Sequence, residues 1–456
     1  MDHRLTRLIA VASSSVLVLT ILAAAPAAVR ATTQIYIGDG TGSGDCAPGV
    51  LDFETDGSDD NLVFDDAADA AEGSLNNILY VCPGTYDITG DIDVSSDLTI
   101  VGVAGAALTI LDSDGSDRIL NADNDLVVIG LTFKDGVSSD GDGGAIYVGE
   151  DFSVEDSVFI NNEADGNGGA IYVYNDLDLI SNSVFTDNIS GSEGGAVFVD
   201  DDLTDNWGDS RAGVIGSSFS GNKAADDGGA INIDDEVRST VTITENDFSN
   251  NVANNDGMTD GEGGAIFLDD DFDGTMTNNT FTSNSARDGG AVLVDSIYGS
   301  VSGNKFSNNI ATQHGGAIYS ENMGDGSSIT RNQFRKNQAE GNGGAMWLDD
   351  DWASDSLNVI VSGNSLRGNR AQGNGGGIFL YWNDATVVPK NVTRNSFRSN
   401  RAGGIGGGIA IMGLEGCAPE LTTRQAARAF KKNKFASNRA TESRRTKNVG
   451  AVPCVL

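Results

Sequence analysis

Histidine is nearly missing from this chain: two occur in 456 residues, and only His314 lies beyond the apolar leader. A Ser-His-Asp or Cys-His site would have to be built on that one ring, beside Gly315 and with no nucleophile motif around it. A zinc site would need more ligands than it can supply. Positive charge is scarce as well, with 28 Lys and Arg against 66 Asp and Glu and a formal net charge of -38. Such a surface repels nucleic acid and anionic membranes, so neither is an expected partner. Cysteine is limited to Cys46, Cys82, Cys417 and Cys454, two near each end. Two local disulfides would fit an oxidising compartment and tie down both ends, although four cysteines allow three pairings. No segment after the leader approaches the ~18 apolar residues of a spanning helix.

The leader itself occupies residues 1–31. Arg4 and Arg7 precede an apolar stretch from Leu8 to Ala25, and small residues lead to Val29-Arg30-Ala31. This predicts a secretory signal peptide cut after Ala31 and a mature chain that is secreted or held at the cell surface. The few positive charges are unevenly placed: nine of the 28 Lys and Arg lie between Arg424 and Lys447, where Glu442 is the only acid. A basic cap on an acidic body is the preferred reading, and a patch for an anionic cell-wall polymer is the other.

What the chain has in abundance is repetition. Gly-Gly-Ala-Ile-like tetrapeptides begin at Gly143, Gly168, Gly194, Gly228, Gly263, Gly289, Gly315, Gly343, Gly375 and Gly406, with a shortest step of 25 residues. A second motif, Phe-x-x-Asn, alternates with them from Phe159/Asn162 to Phe435/Asn438, with Leu366/Asn369 as the conservative exception. Repeats of this size predict a solenoid. Glycine, at 60 residues, is too frequent and too regular for helical repeats, and no leucine ladder or nine-residue period is present. Short β-branched segments such as Val241-Thr242-Ile243 and Val359-Ile360-Val361 are bounded by turn residues and read as strands.

A parallel β-helix satisfies all of this. Coils about 4.8 Å apart stack equivalent side chains into columns. Alternation then puts Ile146, Ile171, Val197, Ile231, Ile266, Val292, Ile318, Met346, Ile378 and Ile409 inside. The Phe residues form a second interior stack. The motif Asn suits a left-handed turn position and can hydrogen-bond along the axis, and the glycine pair suits a corner that excludes a Cβ. A short helix over Leu62–Ala71 covers the open end, Ile78–Val81 is a strand, and Val127–Phe133 belongs to the first coils.

Pro83-Gly84-Thr85-Tyr86, Leu98-Thr99-Ile100-Val101-Gly102 and Ile129-Gly130-Leu131-Thr132-Phe133 resemble the opening of pectin-lyase-like right-handed β-helix proteins. The alternating glycine-pair and Phe-x-x-Asn motifs resemble the repeat of polymorphic outer-membrane proteins, surface-exposed adhesins of the same fold. Together these resemblances span roughly residues 78 to 440. They imply an all-β, right-handed parallel β-helix of about twelve coils of ~25 residues, capped at both ends. The expected layout is a signal peptide over 1–31, an N-terminal cap over 32–77, the β-helix over 78–415 and a basic C-terminal cap over 416–456. Those adhesins usually end in a membrane barrel, and no barrel fits in residues 440–456, so release or retention through another partner is expected.

Chemistry would sit on the outward side of the glycine-pair strands. The outward position carries Tyr147, Tyr172, Phe198, Asn232, Phe267, Leu293, Tyr319, Trp347, Phe379 and Ala410. An exposed ladder of the seven aromatic rings would suit sugar stacking; alternatively the rings stack on one another or lie under loops. Acidic turns follow these strands, and calcium is the one cofactor they call for, with Asp201, Asp235, Asp270 and Asp350 as the central candidates. Solvated, mutually screened turns are the competing reading. β-Helix lyases resembling this fold combine calcium-binding aspartates with an Arg or Lys base. Arg331, Arg335, Lys336, Arg367 and Arg370 could supply a base, but they lie at the Phe-x-x-Asn turns, away from the aromatic face. The resulting expectation is a monomeric, non-catalytic, adhesin-like binding module for an extracellular polysaccharide or cell-surface ligand. A calcium-dependent polysaccharide lyase is the alternative.

Overall fold

The computed structural model describes residues 35–38, 53–54, 60–72, 77–139, 141–204, 212–254, 261–350, 359–382, 391–413, 423–442 and 447–451. The expected signal peptide and Cys46, Cys417 and Cys454 lie outside the described residues, as does the side chain of Asp350; Cys82 is buried.

One coil shows how the repeat is built. A strand at Thr275–Thr277 turns at Asn278 (φ 59°) into Thr280–Thr282, which turns at Ser283 (φ 59°) into the short Ser285–Ala286. The chain then passes through Gly289 (φ 59°) into Val292–Ile297 before the series restarts at Ser300–Ser302. Each strand pairs in parallel with its equivalent one coil away, giving long sheets of 14, 13 and 13 strands. The phenylalanine and glycine-pair sheets are the two of 13, and the β-branched segments form the sheet of 14. This is the parallel β-helix that the repeats predict.

Alternation along each strand sends one set of side chains inward. The expected aliphatic column from Ile146 to Ile409 is buried throughout. The Phe column stacks face to face from Phe133 to Phe334 with ring centroids 4.7–5.0 Å apart. Leu366 interrupts it, and Phe397 and Phe435 resume it at 5.0 Å. Stacked rings of this kind contribute about 0.5–1.5 kcal/mol per pair beyond area burial.

The corners carry the chain's polar interior. In the Phe-x-x-Asn turn the left-handed residue is the one before the Asn, such as Asn250 (φ 58°) or Lys336 (φ 58°), not the motif Asn itself. That Asn points inward, where it forms a buried ladder: Asn251 Nδ2 donates to Asn284 Oδ1 at 3.0 Å, and Asn284 Nδ2 to Asn309 Oδ1 at 3.1 Å. A second ladder lines the preceding corner, with Asn246, Asn279, Asn304, Asn332, Asn364 and Asn395 linked at 3.0–3.2 Å. Its signal, an Asn two residues before the Phe or Leu of each motif from Phe248 onward (Ser at Phe159, Phe185 and Phe219), went unread at the level of sequence. Side-chain amides succeed here because each supplies both a donor and an acceptor, so every coil satisfies the next.

The glycine pair divides two tasks. Gly194 has φ 62°, whereas a Cβ on Gly195 would lie 2.3 Å from the Gly229 carbonyl oxygen of the next coil. The first glycine is needed for conformation and the second for close approach.

At the N-terminal end the helix Asn61–Glu72 buries Phe64, Ala67, Ala68 and Ala71 against the first coils. Phe64 meets Tyr86 edge to face at 5.2 Å. Val127–Phe133 lies in the first coils as expected, as two strands, Leu126–Ile129 and Thr132–Lys134, separated at Gly130 (φ 69°) where a sheet corner falls. A second helix, Thr423–Ala429, places Ala426 in the core near the other end, followed by buried Phe430.

Candidate functional site

Register along the glycine-pair sheet stacks the outward residues as expected: Tyr147 on Tyr172, Tyr172 on Phe198, Tyr319 on Trp347 and Trp347 on Phe379. Their exposure, however, is not that of an open ladder. Tyr172, Phe198, Phe267, Trp347 and Phe379 are 7, 1, 7, 9 and 2 % exposed, and only Tyr147 and Tyr319 are half-buried. Two physical causes combine. The glycine-pair turn folds back over its own strand, so closely that a Cβ on Gly194 would lie 2.9 Å from the Phe198 Cβ. The rings also cover one another, with centroids 5.2 Å apart at Tyr147–Tyr172, 5.3 Å at Tyr172–Phe198 and 4.4 Å at Tyr319–Trp347. Faces spent on each other are not available to a sugar ring.

Carboxylates border this aromatic floor on both sides. Glu193, Asp227, Glu262 and Asp288 immediately precede their glycine pairs, and Asp200, Asp234, Asp269, Asp295, Glu321 and Asp349 follow the aromatic position by two residues on the same face. At one coil Asn232 replaces the ring and joins the two borders, its Nδ2 donating to Glu193 Oε2 at 2.7 Å and to Asp234 Oδ1 at 3.1 Å. Burial, then the charge of Asp234, pushes Glu193 up to about 7. Burial, then Asp227 and Asp288, pushes Glu262 up to about 8. Asp295 is pushed up to about 7 by burial and then Glu321, and Asp227 and Asp234 rise to about 6, in each case mainly by burial. The face therefore holds carboxyl groups that are partly protonated near neutrality and can donate as well as accept. The row before the glycine pairs went unread in the sequence, although its position is fixed by the motif.

Part of that row is structural. Asp288 Oδ1 accepts the His314 backbone N–H at 2.6 Å, and His314 Nδ1 accepts the Asn342 N–H at 3.0 Å. Burial lowers the His314 pKa. The histidine thus serves as a neutral acceptor in a turn ladder.

Among the described residues, this face carries a cleft of about 310 Å³ lined by Asp295, Ser296, Tyr319, Glu321, Asn322, Trp347 and Asp349. Here the floor shows a half-buried ring, and the Tyr319 hydroxyl lies 3.4 Å from Glu321 Oε1.

The acidic turns are less turn-like than expected. In three successive coils the strand continues through them, over Ile266–Phe272, Val292–Ile297 and Ile318–Met323. Among the described residues, three carboxylate oxygens come within 4.8 Å of one another at Asp176, Asp201 and Asp202 and at Glu193, Asp226 and Asp227. Of the expected calcium ligands only Asp201 belongs to such a group, while Asp235 and Asp270 are exposed and stand outside them. Arg238 bonds Asp202 through Nε at 2.6 Å and through a second guanidinium nitrogen.

A family described as "Right handed beta helix region" matches residues 120–334. No curated protein and no solved structure matches the chain. Among the described residues, no helix is long and apolar enough to cross a membrane.

Proposed function

We propose that this right-handed parallel β-helix is a non-catalytic binding module that presents its glycine-pair face to an extracellular ligand such as a glycan. The observation that carries the reading is the cleft at Tyr319 and Trp347, where an aromatic floor lies beside a row of carboxyl groups, Asp295, Glu321 and Asp349. Because the rings are stacked, recognition would rest on ring edges and on hydrogen bonds from carboxyl and amide groups to hydroxyls, not on sugar stacking along the whole ladder. Of the seven aromatic candidates, Tyr319 and Trp347 carry this reading, with Tyr147 as a further half-buried edge. Secretion and the absence of turnover are parts of the same proposal.

A panel of neutral and acidic polysaccharides, screened with and without calcium, tests it. Retention without new ultraviolet absorbance, lost in Tyr319→Ala and Trp347→Ala, is the expected result. Retention that ignores both substitutions would overturn the choice of cleft.

A second reading, calcium-dependent lyase, is favoured by one observation: the Asp176, Asp201 and Asp202 group with Arg238 beside it. Calcium held there would be the metal such a reaction needs. Against Arg238 as the base, its bond to Asp202 holds the guanidinium pKa above its ordinary value. Calcium-dependent absorbance of unsaturated products would establish the lyase and sink the binding-only reading.

A further inference from the structure

On the phenylalanine sheet, the residue after the inward Phe (or Leu366) points outward, and in three successive C-terminal coils, before the column ends at Ala436, that residue is arginine. Arg335, Arg367 and Arg398 stack in register and are exposed. On the short strand that follows, Arg370, Arg401 and Arg439 form a second exposed column. In the middle coils the first column holds Thr186, Ser220, Ser249, Thr282 and Ser307, and its first coils hold Lys134 ion-paired to Asp112, so within this column positive charge without an acidic neighbour is confined to the C-terminal coils. None of the ion pairs among the described residues involves any of the six arginines. Like charges stacked about every 4.8 Å repel one another. A chain with 66 acidic residues places none in these two columns from Arg335 to Arg439.

We infer that this arginine face binds a linear polysaccharide carrying one acidic group, sulfate or carboxylate, on each sugar, laid along the solenoid axis. The coil spacing is comparable with the length of one pyranose, so successive acidic groups would meet successive arginine pairs, Arg367 with Arg370 and then Arg398 with Arg401. Planar guanidinium forks suit such oxyanions better than ammonium groups do. The acidic remainder of the molecule does not cancel the attraction, because fields are screened over about 8 Å at physiological ionic strength. The other outward residues of these strands are Gln333, Ser365 and Ser396, with no aromatic ring on which a base could stack, which favours a glycan over single-stranded nucleic acid. The site is separate from the glycine-pair face and stands or falls independently of it.

The test uses the full chain with three probes: a heparin oligosaccharide, an oligogalacturonate and neutral dextran. Binding to one or both acidic probes, none to dextran, and a steep loss between about 50 and 200 mM salt are expected. The triple variant Arg367→Ser, Arg398→Ser, Arg401→Ser should weaken binding tenfold or more while circular dichroism is unchanged, since Ser220 and Ser249 already occupy one of these columns. Trp347→Ala should leave this binding intact, which separates it from the glycine-pair cleft. No binding of either acidic probe at low salt would overturn the proposal, as would an unaffected triple variant. So would displacement of the glycan by an equal charge of single-stranded DNA, or salt-sensitive self-association that buries these arginines instead.

Discussion

Replacing Asn284 by alanine tests whether the buried asparagine ladder holds the coils together. Asn284 Oδ1 accepts the Asn251 backbone N–H and the Asn251 Nδ2, each at 3.0 Å, and Asn284 Nδ2 donates to the Phe248 carbonyl at 3.0 Å and to Asn309 Oδ1 at 3.1 Å. The residue is fully buried. Truncation removes the acceptor from two buried N–H groups, at about 1–3 kcal/mol each, so a loss of about 4 kcal/mol is expected. That is a large share of the ~5–15 kcal/mol by which folded domains usually exceed their unfolded chains. Because a solenoid is stabilised coil against coil, the damage should be local: hydrogen exchange at Asn251 should accelerate far more than exchange near Phe133. Denaturant unfolding gives the global cost. Asn284→Asp adds a signed control, since the carboxylate puts an acceptor where a donor is needed and its folded pKa rises. A raised folded pKa means the folded state binds the extra proton, so this variant should be most stable below the ordinary carboxylate range and lose stability as pH rises through the raised value. If Asn284→Ala cost under about 1 kcal/mol, or if Asn284→Asp matched the parent at neutral pH, the ladder would be ornament and the argument wrong.

Three further outcomes are expected. Glu193, Glu262 and Asp295, pushed up to about 7, 8 and 7, bind protons more tightly folded than unfolded; stability should be fullest near pH 4 and fall as pH rises to about 8, and Glu262→Gln should flatten the fall, so melting temperatures that climb from pH 5 to 8 would refute the assignment. Gly195→Ala should abolish soluble expression because its Cβ meets a carbonyl at 2.3 Å, whereas Gly105→Ala, at φ 80° with nothing within 4 Å, should cost only about 1–2 kcal/mol by denaturant titration. Phe281→Leu should cost about 1–2 kcal/mol and Phe281→Ala about 3–5, since Leu366 already stands in the same column; equal costs for the two would mean that packing volume does not govern the stack.

The repeat carried most of the fold in plain view. A period set by one coil forces the same residue type into the same place, so the inward Ile column, the Phe stack and the two demands on the glycine pair could all be assigned from spacing and alternation. Helix Asn61–Glu72 and strand Ile78–Val81 followed from local pattern in the same way. Other properties depend on what lies across the coil. Whether Phe198 is exposed is decided by how the nearby Gly194 turn folds back over it and by Tyr172 stacking on it from the preceding coil, and the local residue types express neither the backbone path nor the stacking. The same holds for the acids. Asp201 gathers with Asp176 and Asp202 while Asp235 and Asp270 stay apart, and Glu193 and Glu262 gain their raised proton affinity from burial and from carboxylates one or more coils away. Periodicity determines which column a side chain joins, because hydrogen bonding locks the coils in register. Exposure, charge state and company within that column are set by inter-coil distances that arise only when the solenoid closes.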